Sequence, residues 1–204
     1  MTAHSPRIGV LALQGSFSEH MHSLSRLGAD AVAVRLPEQL DGLDGLILPG
    51  GESTTILKLI DEYGLRASLT HAIACGLPVL GTCAGAICLA NGISSHVMEP
   101  LRLLHISVSR NGFGRQVDSF EEDLSIAALP GPVYRGVFIR APMIESYSDG
   151  VEVLARLADG TVVACRQDNM LATCFHPEFV DDLRLHTYFL HMVEEYVATH
   201  STQD

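Results

Sequence analysis

One cysteine of the chain, Cys83, is flanked by glycines at the spacing of a nucleophile elbow. The segment Gly81-x-Cys83-x-Gly85 lies between two apolar runs, as at a junction from a strand to a helix. Glycines allow this sharp turn, because larger side chains would collide with the neighbouring strand and helix. A cysteine at a helix N-terminus also feels the positive end of the helix dipole, which favours the reactive thiolate. The pattern predicts a nucleophilic thiol, and a buried cysteine in a glycine-rich turn is the structural alternative.

A thiolate nucleophile needs a base and a group that orients the base. Residues 175–178 (FHPE) place His176 at the carboxyl end of the last apolar strand segment, the edge at which α/β sheets carry their sites. Glu178 is close enough in sequence to accept from the second imidazole nitrogen and so fix the tautomer. A His-Pro pair that merely ends a strand is the alternative. The cysteine upstream favours a triad of Cys83, His176 and Glu178.

A glycine pair lies in residues 49–54 (PGGEST), which follow an apolar run and open a helix. Glycines let the backbone approach a ligand, and an amide of this loop could form an oxyanion hole together with the amide of Ala84. A phosphate loop is the competing interpretation, but the pattern G-x-x-x-x-G-K-[ST] is absent. The second competing interpretation is a helix cap provided by Ser53.

The elements that must position these residues belong to a globular chain. Its 204 residues are 47% hydrophobic and 18% charged, which fits one α/β domain better than two small ones. We therefore expect one domain over residues 1–204, with frayed tails at residues 1–6 and about 200–204. The formal net charge of −11 repels nucleic-acid phosphates and anionic lipids, which argues against nucleic-acid and membrane-surface binding.

The cysteines and the apolar segments predict a soluble cytoplasmic protein. The five cysteines are an odd number without a C-x-x-C pair, so neither a disulfide framework nor a zinc knuckle is expected. The other four cysteines lack the flanking glycines and are interpreted as core residues. No secretory signal pattern opens the sequence. Residues 73–93 carry no charge, but their glycines and proline favour a buried strand, turn and helix over a membrane span.

Apolar runs that alternate with helical segments predict βαβ units and a parallel sheet in the first half of the chain. Ser16 and Glu19 fit a capping box before the first helix, and Gly28 ends it. The second half is rich in strands and closes with a helix from about Asp181. The predicted strands are residues 7–13, 31–36, 45–48, 101–109, 133–139, 151–157, 161–167 and 171–175.

The remaining nine of the ten histidines are interpreted as structural or surface residues. His20 lies on the first predicted helix and His186 on the last one. His105 lies within an apolar strand and is interpreted as a core histidine rather than a ligand. No pair of histidines has convincing metal-ligand spacing with a carboxylate, so no metal site is predicted.

Six blocks of the sequence together resemble the class I, triad-type glutamine amidotransferases, and among them the branch that serves pyridoxal 5′-phosphate synthases. They run in order through most of the chain. The blocks are LQG (13–15), PGGESTT (49–55), GTCAG (81–85), RNGFGRQ (110–116), FIRAP (138–142) and FHPE (175–178). The fourth and fifth blocks are more specific than the triad, and Gly112 stands where the family pattern has serine.

The resemblance implies a three-layer, flavodoxin-like fold with a mostly parallel central sheet and a β-rich C-terminal half. It also implies hydrolysis of L-glutamine to L-glutamate and ammonia through a γ-glutamyl thioester on Cys83. Carried over position by position, the implied glutamine-binding residues are Gly51, Glu52, Ser53, Arg110, Ile139 and Arg140. The implied oxyanion hole consists of the backbone amides of Gly51 and Ala84.

The resemblance further implies a partner, a (βα)8-barrel synthase subunit in a large hetero-oligomer, which takes up the ammonia. No cofactor is implied for this subunit, because pyridoxal phosphate is the product of the complex. Docking of the partner is expected to complete the oxyanion hole, with the Gly50–Gly51 peptide or Gln14 imperfectly arranged in the isolated chain. The alternatives are another cysteine hydrolase or stress protein on a related flavodoxin-like sheet, and a non-catalytic binding module.

Overall fold

The computed structural model describes residues 5–94, 98–110 and 119–200. Its first half alternates strands with helices, as the apolar runs predict. The strands are β1 (Arg7–Leu11), β2 (Asp30–Val34), β3 (Gly45–Leu48), β4 (Val79–Thr82) and β5 (Ala90–Ile93). The helices are α1 (Phe17–Arg26), α2 (Ser53–Glu62), α3 (Leu65–Ala74) and α4 (Ala84–Leu89), with a 3-10 helix at Pro37–Leu40.

The second half is rich in strands and ends in a helix. Its strands are β6 (Leu104–Ser109), β7 (Ser119–Leu124), β8 (Tyr134–Ile139), β9 (Met143–Tyr147), β10 (Glu152–Arg156), β11 (Val162–Gln167) and β12 (Met170–Thr173). A 3-10 helix at Pro177–Phe179 precedes α5 (Arg184–His200). Strands β7 and β8 pair with each other as a separate antiparallel ribbon.

The main sheet of the described residues has the strand order β2-β1-β3-β4-β12-β11-β9-β6-β5, with β10 paired to β11. The strands from β2 to β12 in this order run parallel, and antiparallel pairing begins at β11. The chain moves from β1 outward to β2, then returns past β1 to β3 and β4. Parallel crossovers are right-handed in nearly all proteins, and with this strand order that rule puts α1 on one face and α2 with α3 on the other. The result is the expected three-layer α/β arrangement.

Helix α5 packs an apolar stripe against the sheet. Leu185, Phe189 and Met192 recur at helical spacing and are buried. Gly45 in β3 makes room for this stripe, because a Cβ atom there would lie 2.7 Å from a Val193 methyl carbon. Among the helices of the described ranges, none combines the length and the hydrophobicity that a membrane crossing requires.

The sequence did not predict β5, β7 and β9. The clearest case is β7, which carries the exposed acidic residues Glu121, Glu122 and Asp123 and so lacks apolar alternation. The last helix begins at Arg184 instead of about Asp181. At its start the Asp182 carboxylate accepts the N–H of Arg184 at 3.1 Å. The capping box predicted at Ser16 is wrong. Ser16 is the N-cap residue of α1, but its side chain makes no cap hydrogen bond.

Candidate active site

Cys83 occupies the sharp turn between β4 and α4. Its backbone angles are φ 47° and ψ −103°, which is the strained conformation that the flanking glycines predict. A Cβ atom on Gly85 would lie 1.9 Å from the carbonyl oxygen of Leu48, and one on Gly81 would lie 2.8 Å from the Gly85 backbone. The glycines are therefore required because the turn packs directly against β3 and against itself.

His176 and Glu178 follow β12, the strand beside β4. Nδ1 of His176 lies 2.8 Å from Oε1 of Glu178, and both side chains are buried. The same carboxylate oxygen accepts the Ser16 hydroxyl at 2.5 Å. Ser16 is thus committed to Glu178, which explains why it does not cap α1. The Cys83 sulfur interacts with the His176 imidazole and raises its pKa, so the three residues form one connected row.

Burial and hydrogen bonding act in opposite directions on the pKa values of this row. Burial lowers the pKa of His176, but its hydrogen bonds with Cys83 and Glu178 and the charges of both partners raise it to about 10. Burial raises the pKa of Glu178, but the neighbouring His20 and the hydrogen bonds from His176 and Ser16 hold it below its ordinary value. His176 is therefore an imidazolium at neutral pH, held between the sulfur and the carboxylate.

A cavity of about 400 Å³ opens above Cys83, which is the size range of small-molecule sites. On one wall Arg110 donates to Oε1 of Glu52 at 2.6 Å. On another wall the Ile139 carbonyl oxygen lies 3.9 Å from the Cys83 sulfur. The lining residues are Ser16, Gly50, Gly51, Glu52, Ser53, Cys83, Ala84, Ile87, Arg110, Ile139, Arg140, His176 and Phe179.

The turn at Gly50 and Gly51 is held from the β1–α1 side. The Gly50 carbonyl oxygen accepts the Ser16 N–H at 3.0 Å, so the N–H of the same trans peptide, that of Gly51, faces the opposite way. Oε1 of Gln14 accepts the N–H of Glu52 at 2.8 Å. Ala84 begins α4, so its N–H has no acceptor within the helix.

Glu52, not Ser53, caps helix α2. The Glu52 carboxylate accepts from the N–H and the hydroxyl of Thr54, so the capping role considered for Ser53 is wrong. Within the described ranges, no group of three or more His, Cys, Asp and Glu residues is placed to hold a metal ion.

Comparison with known proteins identifies the group to which this architecture belongs. A family model described as the SNO glutamine amidotransferase family matches residues 10–195. This chain is a member of that family. The resemblance carried by the six sequence blocks is therefore confirmed.

The amidotransferase chain has relatives of high similarity over nearly its whole length. A pyridoxal 5′-phosphate synthase subunit PdxT of Dehalococcoides mccartyi is 54% identical over 192 residues, which cover 93% of this chain and 98% of that protein. The PdxT subunit of Corynebacterium jeikeium is 54% identical over 190 residues, which cover 92% and 97%. A crystal structure of a glutamine amidotransferase matches with a TM-score of 0.87 at 51% identity, covering 92% of this chain and 98% of that one.

The amidotransferase fold brings the predicted site residues to one edge of the sheet. The predicted triad and the residues expected to bind glutamine line or adjoin one pocket, and Gln14 contacts the Gly51–Glu52 turn. Of the block at residues 110–116, only Arg110 lies within the described residues. Sequence reasoning missed Ser16, Ile87 and Phe179, whose ring stacks on His176 with centroids 5.0 Å apart. The signal that could have identified Phe179 is its position directly after Glu178.

The structure makes one interpretation of a single residue more specific and contradicts two others. His20, interpreted as a structural or surface residue, is fully buried and lies 3.3 Å from Oε2 of Glu178. His105 is exposed at the surface of β6 instead of lying in the core, and its ring contacts Gln167 at 3.3 Å. Cys75 is exposed, whereas Cys88, Cys165 and Cys174 are buried as predicted.

Proposed function

We propose that this chain is the glutaminase subunit of a pyridoxal 5′-phosphate synthase and hydrolyses L-glutamine to L-glutamate and ammonia. The meeting of Cys83, His176 and Glu178 at one pocket, in a member of a glutamine amidotransferase family, carries the proposal. The relatives named PdxT support the assignment to vitamin B6 biosynthesis.

The reaction begins with the Cys83 thiolate, which attacks the side-chain carbonyl carbon of glutamine. His176 is protonated at neutral pH and donates its proton to the amide nitrogen, which leaves as ammonia. The product of this step is a γ-glutamyl thioester on Cys83. The neutral His176 then removes a proton from water, which attacks the thioester and releases glutamate. Glu178 holds the imidazole in place through Nδ1.

The backbone amides of Gly51 and Ala84 form the oxyanion hole in this proposal. The orientation of the Gly50–Gly51 peptide and the position of Ala84 at the start of α4 support it. The N–H of Glu52 is unsuited to this role, because Gln14 already accepts its hydrogen bond. Loss of one oxyanion donor reduces kcat by about 100- to 1,000-fold in enzymes of this kind.

Glutamine binds in the cavity through charged groups of the lining. An arginine suits the α-carboxylate, because its guanidinium pairs with both oxygens, and Arg110 and Arg140 face the cavity. The Glu52 carboxylate suits the α-ammonium group. Gly51, Ser53 and Ile139 complete the contacts.

The ammonia passes to a (βα)8-barrel synthase subunit in a large hetero-oligomer in the cytoplasm. That synthase builds pyridoxal phosphate from a pentose phosphate and a triose phosphate. Docking completes the oxyanion hole by adjusting the Gly50–Gly51 peptide or Gln14. Full activity of the isolated chain, together with both amides already aimed at the oxyanion position, would contradict this dependence.

Glutamate release from L-glutamine tests the proposal. The purified chain is assayed alone and with its candidate synthase. We expect activity that rises with the partner and disappears in Cys83→Ala. Cys88→Ala is the matched control, because Cys88 lies on α4 and burial raises the pKa of its thiol to about 12, which leaves it protonated. Folded protein that releases no glutamate under either condition would overturn the assignment.

A further inference from the structure

Behind the predicted triad, a chain of buried side chains connects Glu178 to α5. Oε1 of Glu178 accepts hydrogen bonds from His176 and Ser16, whereas Oε2 has no well-aligned donor among the described residues. The Nε2 atom of His20 lies 3.3 Å from Oε2 and 3.1 Å from the Thr82 hydroxyl oxygen. The glutaminase role proposed above does not use this histidine.

The proton positions on the two buried histidines follow from their partners. Nδ1 of His20 lies 3.0 Å from Nε2 of His186, and Nδ1 of His186 has no partner among the described residues. A buried N–H without an acceptor is less tolerable than a lone pair without a donor. His186 therefore carries its proton on Nε2 and donates it to Nδ1 of His20. His20 then carries its own proton on Nε2, the nitrogen that faces Glu178.

We propose that His20 is a positioning residue for the glutaminase reaction, which shares its Nε2–H between Glu178 and Thr82 and thereby holds the buried carboxylate in place. His186 fixes the tautomer that makes this possible. With Oε2 supported by His20, Oε1 stays directed at His176. The inference rests on the proposed function, because it assigns a role within that same row of residues.

A neutral His20 suits this role better than a charged one. Burial lowers the pKa of His20 and lowers that of His186 to about 3, so both rings supply N–H groups without positive charge. The ionisable side chains that face Glu178 from the surrounding elements are His20 on α1, Tyr134 on β8, His176 beside the 3-10 helix, and His186 on α5.

Two amide substitutions test the hydrogen bonds of the two His20 ring nitrogens separately. In His20→Gln the amide nitrogen reaches the position of Nε2 and can still donate to Glu178. In His20→Asn the shorter amide reaches only the position of Nδ1, next to His186. His22→Gln is the matched control, because His22 is an exposed histidine on the same helix. Each variant is assayed with the synthase partner for kcat, for KM and for the pH dependence of kcat.

We expect His20→Asn to lose about 10- to 100-fold in kcat, the size of a hydrogen bond to a charged group. The KM for glutamine should stay unchanged, because His20 does not line the cavity. The acid limb of the kcat profile should move to higher pH, since an unsupported Glu178 takes up a proton more easily. His20→Gln should recover most of the activity, and His22→Gln should match the wild type.

Wild-type activity in His20→Asn, or an equal loss in both His20 variants, would overturn the inference. A second measurement separates this outcome from failure of the proposed function. If the wild type releases no glutamate, the rate of Cys83 alkylation by iodoacetamide at pH 7 is compared by peptide mapping. The alkylation should be slower in His20→Asn than in His20→Gln. Equal rates would contradict the role of His20 independently of glutamine.

Discussion

Replacement of Gly15 by alanine should disable the site from a position that does not line the cavity. Gly15 has φ +97°, and a Cβ atom there would lie 1.8 Å from the carbonyl oxygen of Gly50, where ordinary contact begins near 3.4 Å. The Gly50 turn must therefore shift by about 1.5 Å. A left-handed alanine costs about 1–2 kcal/mol, and the steric overlap adds about 1–3 kcal/mol. We expect Gly15→Ala to lower the free energy of unfolding by roughly 2–5 kcal/mol.

Gly28→Ala is the control that isolates the steric contribution to the stability loss of Gly15→Ala. Gly28 has φ +79°, but a Cβ atom there meets nothing within 4 Å. This variant should lose only the backbone contribution, about 1–2 kcal/mol, and keep wild-type glutaminase activity.

The Gly15 variant should also lose activity. The Gly50 carbonyl accepts from Ser16, and the Ser16 hydroxyl holds Glu178, so a shift of the turn moves both a cavity wall and the carboxylate. A misplacement of this size costs about 100-fold in rate. Urea unfolding and glutamate release with the synthase partner measure the two effects. Equal stability and equal activity of Gly15→Ala and Gly28→Ala would refute the reasoning.

Three further outcomes are expected. Gly85→Ala should destabilise the protein by ~1–3 kcal/mol in urea unfolding, because its Cβ would overlap the Leu48 carbonyl. Alanine is the better helix former by ~1 kcal/mol, so a stabilised variant would contradict the packing of the turn at Cys83. Glu52→Gln should raise the KM for glutamine about 10-fold or more with little change in kcat, and an unchanged KM would exclude Glu52 from binding. Burial lowers the pKa of His186 to about 3 from 6.5, so its contribution to stability is complete above pH 6.5 and is lost as the pH falls toward 3. Between pH 7 and 4.5 the wild type should lose ~2–3 kcal/mol more than His186→Gln, and parallel pH curves would refute this.

The fold class and the edge that carries the site were predictable, because both depend on local patterns. The apolar runs at β1, β3 and β4 are almost entirely buried, and their composition alone is typical of strands in a parallel sheet. The spacing of the glycines around Cys83 was enough to predict the strained turn. The prediction of one domain over residues 1–204 stays a prediction.

The roles of polar side chains were harder to predict, because their partners are distant in sequence. Ser16 has a helix-capping pattern with Glu19, but it binds Glu178, 162 positions away. The pattern gave no reason to prefer the distant partner. The stripe of α1 offered a signal for His20, since this residue lies three positions after Phe17 and four before Leu24 on the buried side. A histidine on a buried stripe requires a polar partner, which sequence alone does not name.

The predicted triad and the buried side chains behind it contain histidines in two opposite states, and their neighbours explain the difference. His176 lies between a sulfur and a carboxylate, and these partners overcome burial and keep it charged. His186 faces another imidazole, so burial prevails and keeps it neutral. A cation in place of His20 would compete with His176 for the negative charge of Glu178. A neutral N–H donor supports the same carboxylate and leaves its charge to the imidazolium, which is why histidine fits this position better than lysine or arginine.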